Sequence, residues 1–162
     1  MNAMSDQYSF TAGKASGSPD SLGSQVCFSV YCAMLGFNKV YRQALRLLDI
    51  TYPQYLVLMV LSERDHVAMT EIAQRLRLES STLTPMLKRL EEQGIVRRKR
   101  YAFDERKVII SLTEKGLALI SRAKTIPAQV SKASGLTAEE SRALRTLLAK
   151  LNLELCKSRK RS

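Results

Sequence analysis

Between residues 22 and 48, apolar side chains recur at three- and four-residue steps: Val26, Val30, Ala33, Phe37, Val40, Ala44 and Leu48. That spacing marks one face of a helix, and Ser24 is placed to cap its first turn. Residues 49–51 interrupt the pattern. Thr51 then caps a second helix through Tyr55, Leu56, Leu58, Met59 and Leu61, with Pro53 in the first turn, where a missing N–H costs nothing. A short helix is predicted over residues 70–76 and a longer one over 80–93. The longer one gathers Leu83, Met86, Leu87 and Leu90 on one face and ends at the stop signal Gly94. Two β-branched runs, residues 95–98 and 107–112, flank a charged turn and predict a hairpin. Thr113 opens a further helix, which Pro127 kinks or interrupts. Thr137-Ala138-Glu139-Glu140 is a capping box for a last helix ending near Cys156.

These elements predict a mainly α chain with a small β-hairpin wing. Residues 1–21 are small and polar and read as a flexible tail, and residues 157–162 as a basic one. At 162 residues, with 45% apolar and 25% charged side chains, the chain has the length and composition of one globular domain. It lacks an apolar run of 18 residues and a secretory h-region, so neither a membrane span nor export is expected. Three cysteines (Cys27, Cys32 and Cys156) without a secretion signal are expected as reduced thiols in the cytoplasm.

Charge narrows the function. Twenty-six Lys and Arg against fifteen Asp and Glu give a net charge of +11, which attracts polyanions, nucleic acid first and anionic membrane second. The single histidine, His66, falls in the loop after the second helix. One imidazole argues against histidine acid–base pairs and multi-histidine metal sites, so no cofactor or metal is expected.

A short helix, a tight turn, a second helix and a basic hairpin follow one another in the order of a winged helix-turn-helix over residues 49–112. The second helix would enter the major groove with Ser80, Ser81, Thr82 and Thr84 at base edges. Lys88 and Arg89, further along, suit phosphates. The hairpin carries Arg97, Arg98, Lys99, Arg100, Arg106 and Lys107 against Asp104 and Glu105, a net +4 over eleven residues. A basic loop of this kind fits a narrow minor groove. Asp104, two residues before Arg106, is placed to hold its guanidinium. The partner implied is double-stranded DNA.

Cys27 lies in the first turn of the first predicted helix. Partial positive charge at a helix N-terminus favours thiolate, the species that attacks peroxide. Tyr31 follows four residues later, one turn away on the same face.

The run Asp104-Glu105-Arg106-Lys107-Val108-Ile109-Ile110-Ser111-Leu112-Thr113-Glu114-Lys115-Gly116 resembles the wing signature of the MarR family of regulators. Leu83-Thr84-Pro85-Met86-Leu87-Lys88-Arg89-Leu90 resembles its recognition helix. Gln25-Val26-Cys27-Phe28 and Ile50-Thr51-Tyr52-Pro53-Gln54-Tyr55-Leu56 resemble the organic hydroperoxide resistance regulators (OhrR) within that family. The resemblance extends over about residues 22–155. It implies an interleaved homodimer built from the helix of residues 22–48 and the helices of residues 113–156, gripping an inverted-repeat operator. It also implies a repressor that releases DNA when an organic hydroperoxide oxidises Cys27, with Tyr31, Tyr41 and Tyr52 supporting the sulfur. Some members carry a resolving cysteine after the proline of the fifth helix; residues 127–132 here contain none. Capping by a low-molecular-weight thiol is therefore the favoured outcome; a disulfide to Cys156 across the dimer, a sulfonamide-like cap and further oxidation stay open.

Three rival readings remain at this level. A bound small molecule would release the repressor with Cys27 inert. A thiol peroxidase would need a well-placed second cysteine; Cys32 lies about 140° round the helix from Cys27, so no enzyme is expected. A non-specific architectural DNA binder would show steep salt dependence with little preference for an operator.

Overall fold

The computed structural model describes residues 21–101 and 104–158, with only the backbone at 101 and 104–106. The expectations for the N-terminal tail and the last four residues lie outside the described residues. Two compact units divide the chain at Lys39/Val40.

The first unit holds a 3₁₀ turn, Leu22–Ser24, and most of helix α1, Val26–Leu45. Ser24 lies inside that turn rather than directly before the helix, and its hydroxyl donates to the Ser21 carbonyl at 2.7 Å. The long predicted helix is correspondingly shorter, with a second 3₁₀ turn at Arg46–Leu48 ending on Asp49 in the left-handed region. Asp tolerates that conformation better than most residues, which explains why the pattern breaks there. In α1, Val26, Val30, Met34 and Leu35 are exposed.

In the second unit, Thr51 caps helix α2 (Tyr52–Glu63) through a capping box with Gln54. The Thr51 amide donates to Gln54 Oε1 at 2.8 Å, which gives the side-chain oxygen of the buried Gln54 a partner. Strand β1 (Val67–Ala68), helix α3 (Met69–Leu76) and helix α4 (Ser80–Glu92) follow. Strands β2 (Val96–Tyr101) and β3 (Asp104–Leu112) then form the hairpin. Both strands run further into the charged segment than β-branching predicted, since ladder pairing carries them through Arg100 opposite Val108. β1 is too short to leave a sequence signal and exists by antiparallel pairing with β3, in the sheet order β1-β3-β2.

Helices α5 (Glu114–Ala123) and α6 (Ile126–Ser134) are separate, with Pro127 in the first turn of α6. Pro127 therefore marks the interruption, not a kink, and sits at the start of the new helix. Helix α7 (Ala138–Ser158) opens on the expected capping box and continues two residues beyond Cys156. The Thr137 amide donates to Glu140 Oε2 at 2.8 Å, and the Glu140 amide to Thr137 Oγ1 at 3.2 Å.

The core fills the space between α2, α3, α4, α5 and the sheet. Leu58, Leu61, Ile72, Leu83, Leu87, Leu90, Val96 and Ile110 are fully enclosed. The three-residue and four-residue steps of α4 thus place Leu83, Leu87 and Leu90 inward and leave its hydroxyl and basic side chains outward.

Candidate nucleic-acid interface and thiol site

Helix α4 exposes Ser80, Ser81, Thr82, Thr84, Lys88 and Arg89, so each residue expected to reach DNA from this helix lies on the face opposite the core. Two of them carry local bonds. Thr84 Oγ1 donates to the Ser80 carbonyl at 2.7 Å, which leaves its oxygen lone pairs, but not its proton, for a groove contact. Lys88 lies 3.8 Å from Glu92, one turn on, an exposed pair that a phosphate can displace. Pro85 sits inside α4 and removes the amide that would otherwise bond the Ser81 carbonyl.

The wing continues from this helix. Arg97, Lys99 and Arg100 are exposed on β2, and Lys107 on β3. Arg98 differs: it is half-buried, with Nε 3.8 Å from Glu91 and its backbone amide donating to Glu91 Oε1 at 3.1 Å. Its side chain thereby ties the wing to the last turn of α4. The side chains of Asp104 and Arg106 lie outside the described residues, and with them the proposed contact between the two.

Residues just after the wing hold the end of α4 in place. Thr113 Oγ1 donates to the Gly94 carbonyl at 2.7 Å and accepts from the Gly116 amide at 3.1 Å, while Lys115 Nζ donates to the Gln93 carbonyl at 2.7 Å. Gly116 closes the joint: a Cβ there would lie 2.3 Å from the Ile95 carbonyl oxygen. The sequence shows Thr113 as a helix cap and gives no local reason for Lys115 or Gly116. Their partners lie about twenty residues upstream.

Cys27 is the second residue of α1 and is exposed. Its thiol donates to Gln25 Oε1 at 3.4 Å. Tyr31 is also exposed, its ring 6.5 Å from that of Phe28. In the second unit the structure brings Tyr41 and Tyr52 together, ring centroids 3.9 Å apart and nearly parallel. Tyr55, which lies 6.0 Å from Tyr41 and is almost fully enclosed, completes this cluster. Burial, with Tyr52 and Tyr55 alongside, pushes Tyr41 up to about 12, so its phenol is neutral and a hydrogen-bond donor at physiological pH. Of the three, Tyr55 was legible only as a core position of α2.

The profile of the family described as transcriptional regulator SarA/Rot matches residues 39–123. The regulator TtmR of Methylorubrum extorquens (strain PA1) is 49% identical over 137 residues, 85% of this chain and 70% of its own. The organic hydroperoxide resistance transcriptional regulator of Bacillus subtilis (strain 168) is 42% identical over 127 residues, 78% of this chain and 86% of its own. The chain belongs to the MarR/SarA-type family of winged-helix transcriptional regulators. Reduced AbfR, solved bound to DNA, superposes with a TM-score of 0.69 at 37% identity over 83% of this chain and 94% of that one. Like these relatives, this MarR-type chain is a DNA-binding transcriptional regulator. The exposed α4 residues and the basic β2 strand are held together through the bonds that Thr113 and Lys115 make to residues 93–95.

Proposed function

We propose that the protein is a cytoplasmic homodimeric repressor that binds an inverted-repeat operator and releases it when an organic hydroperoxide oxidises Cys27. The observation that carries this reading is the exposed Cys27 thiol in the first turn of α1, in a chain 42% identical to a regulator named for organic hydroperoxide resistance. The Cys27 thiolate attacks the outer peroxide oxygen, the O–O bond breaks, and the alcohol leaves after taking a proton. The product is a sulfenic acid, which a low-molecular-weight thiol converts to a mixed disulfide with loss of water. Tyr31, Tyr41 and Tyr52 supply hydroxyls that support the reduced sulfur, so oxidation exchanges one set of hydrogen bonds for another.

Ser80, Ser81, Thr82 and Thr84 read base edges. Lys88, Arg89, Arg98, Arg106 and Lys107 contact phosphates or the minor groove, with Asp104 orienting Arg106. The exposed apolar faces of α1 and α7 supply the dimer contact, and two-fold symmetry sets the half-sites about one helical turn apart. Release requires a difference between the two states on the order of a few kcal/mol.

The test is the intact mass and the operator affinity before and after one equivalent of cumene hydroperoxide. Loss of affinity with a mass gain confined to Cys27, absent from Cys27→Ser, is the expected result. Unchanged affinity in a protein whose Cys27 has been oxidised would overturn the sensing role and leave a regulator with another signal.

A further inference from the structure

Arg77 closes helix α3 with φ 54° and ψ 40°, in the left-handed region. Cβ crowding disfavours that conformation for an arginine, and glycine or asparagine is the usual occupant of such a helix end. An arginine there carries local strain and raises the question of a role for its side chain.

The surroundings indicate what that is. Nearby Arg64 and Arg75 are each ion-paired, to Glu71 and Glu63. Among the described residues no carboxylate lies within ion-pair distance of Arg77; its Nη1 is 3.7 Å from Cys156 Sγ, a weak acceptor. The guanidinium opens on a cleft of about 480 Å³ that Thr70, Gln74, Glu79, Ser80 and Cys156 also line. Ser80 is the first residue of α4, so the positive end of that helix points the same way, and Glu79 at its cap makes no side-chain capping bond. An uncompensated guanidinium, a hydroxyl, an amide and a helix N-terminus converge there beside one acidic residue. That set is suited to a phosphodiester oxygen.

We infer that Arg77 is a DNA-backbone contact, gripping one phosphate at the turn between α3 and α4 and so setting how deeply the first turn of α4 enters the groove. The inference rests on the reading of this chain as a DNA binder and adds a phosphate contact outside α4 and the wing.

Strain and contact make opposite predictions for one substitution. In full-length protein, Arg77→Gly relieves the left-handed backbone and is expected to leave the melting temperature unchanged or higher. On a random-sequence duplex of about 30 base pairs it should weaken binding three- to tenfold. The slope of log K against log salt should fall by about 0.9 for each phosphate lost. Arg77→Lys keeps the charge, so its slope should stay at the wild-type value. Unchanged affinity and slope in Arg77→Gly would overturn the contact, as would a lowered melting temperature accompanying the weaker binding, which would make Arg77 a structural residue. Absence of salt-dependent binding by the wild-type protein would undo the DNA-binding reading itself, and the inference with it.

Discussion

Helices α4 and α7 are both rich in leucine, yet they treat it in opposite ways. Leu83, Leu87 and Leu90 of α4 are inaccessible, whereas Leu144, Leu147, Leu153 and Leu155 of α7 are between 40% and 64% exposed. No residue of α7 is buried, although it is the longest helix described. The winged-helix region closes its own core from residues 45 to 130, with α2, α3, α4 and the sheet each covering the others. α7 forms from local forces, a capping box and helix-compatible residues, and leaves four of its leucines exposed. The difference separates a region whose stability is internal from one whose apolar surface calls for a cover, which the proposed second copy would provide.

The comparison can be broken first at the core. Leu87→Ala removes a fully enclosed side chain of α4 and is expected to cost about 2–5 kcal/mol in chemical denaturation. That loss should be independent of protein concentration, and a cost below about 1 kcal/mol would mean the core is not closed as described. The matching change on the other helix is Leu147→Glu, whose side chain is 64% exposed in the single chain. Here the far-UV spectrum should survive while self-association, measured by sedimentation, weakens at least about 100-fold, or about 3 kcal/mol. A dimer of undiminished stability would remove α7 from the interface.

A third change probes the joint between core and wing. Gly116→Ala places a methyl group against the Ile95 carbonyl, a backbone atom that cannot swing aside. It should cost about 1–3 kcal/mol by thermal unfolding, with DNA affinity falling further than stability explains. Wild-type stability would show that the β2 start moves freely.

The smallest effect concerns the start of α7. Hydrogen bonding to Thr137 holds the Glu140 carboxyl below its ordinary value of 4.5. A lowered folded-state value means the stabilisation is fully present above that ordinary value and is lost as pH falls through the folded one. Helicity followed by circular dichroism should therefore decline slightly in that acid window. Glu140→Gln, which keeps the acceptor and removes the charge, should abolish this component and retain the box at neutral pH. An identical acid profile in the variant would assign the change elsewhere.

Much of the architecture was readable from neighbours in sequence. Thr51, Thr113 and Thr137 were each legible as helix starts because a cap acts over three residues. The inward face of α4 was legible because leucines three and four apart must share a side. Ser24 misled for the same local reason: a hydroxyl ahead of an apolar run looks like a cap whether it stands directly before the helix or inside the turn ahead of it.

What the sequence determined by itself was therefore most of the helices, the polar face of α4, the basic hairpin and the position of Cys27 near a helix start. Each depends on interactions spanning about one helical turn or one strand pleat. Tertiary structure alone decided that Val67 and Ala68 form a strand, that Arg98 leans on Glu91, and that Tyr41 stacks on Tyr52. It also decided that Gly116 must be bare against Ile95 and that Arg77 faces Cys156 across 79 residues. Those contacts join segments whose separation along the chain carries no periodic signal, and they arise only once the core has fixed where each element lies.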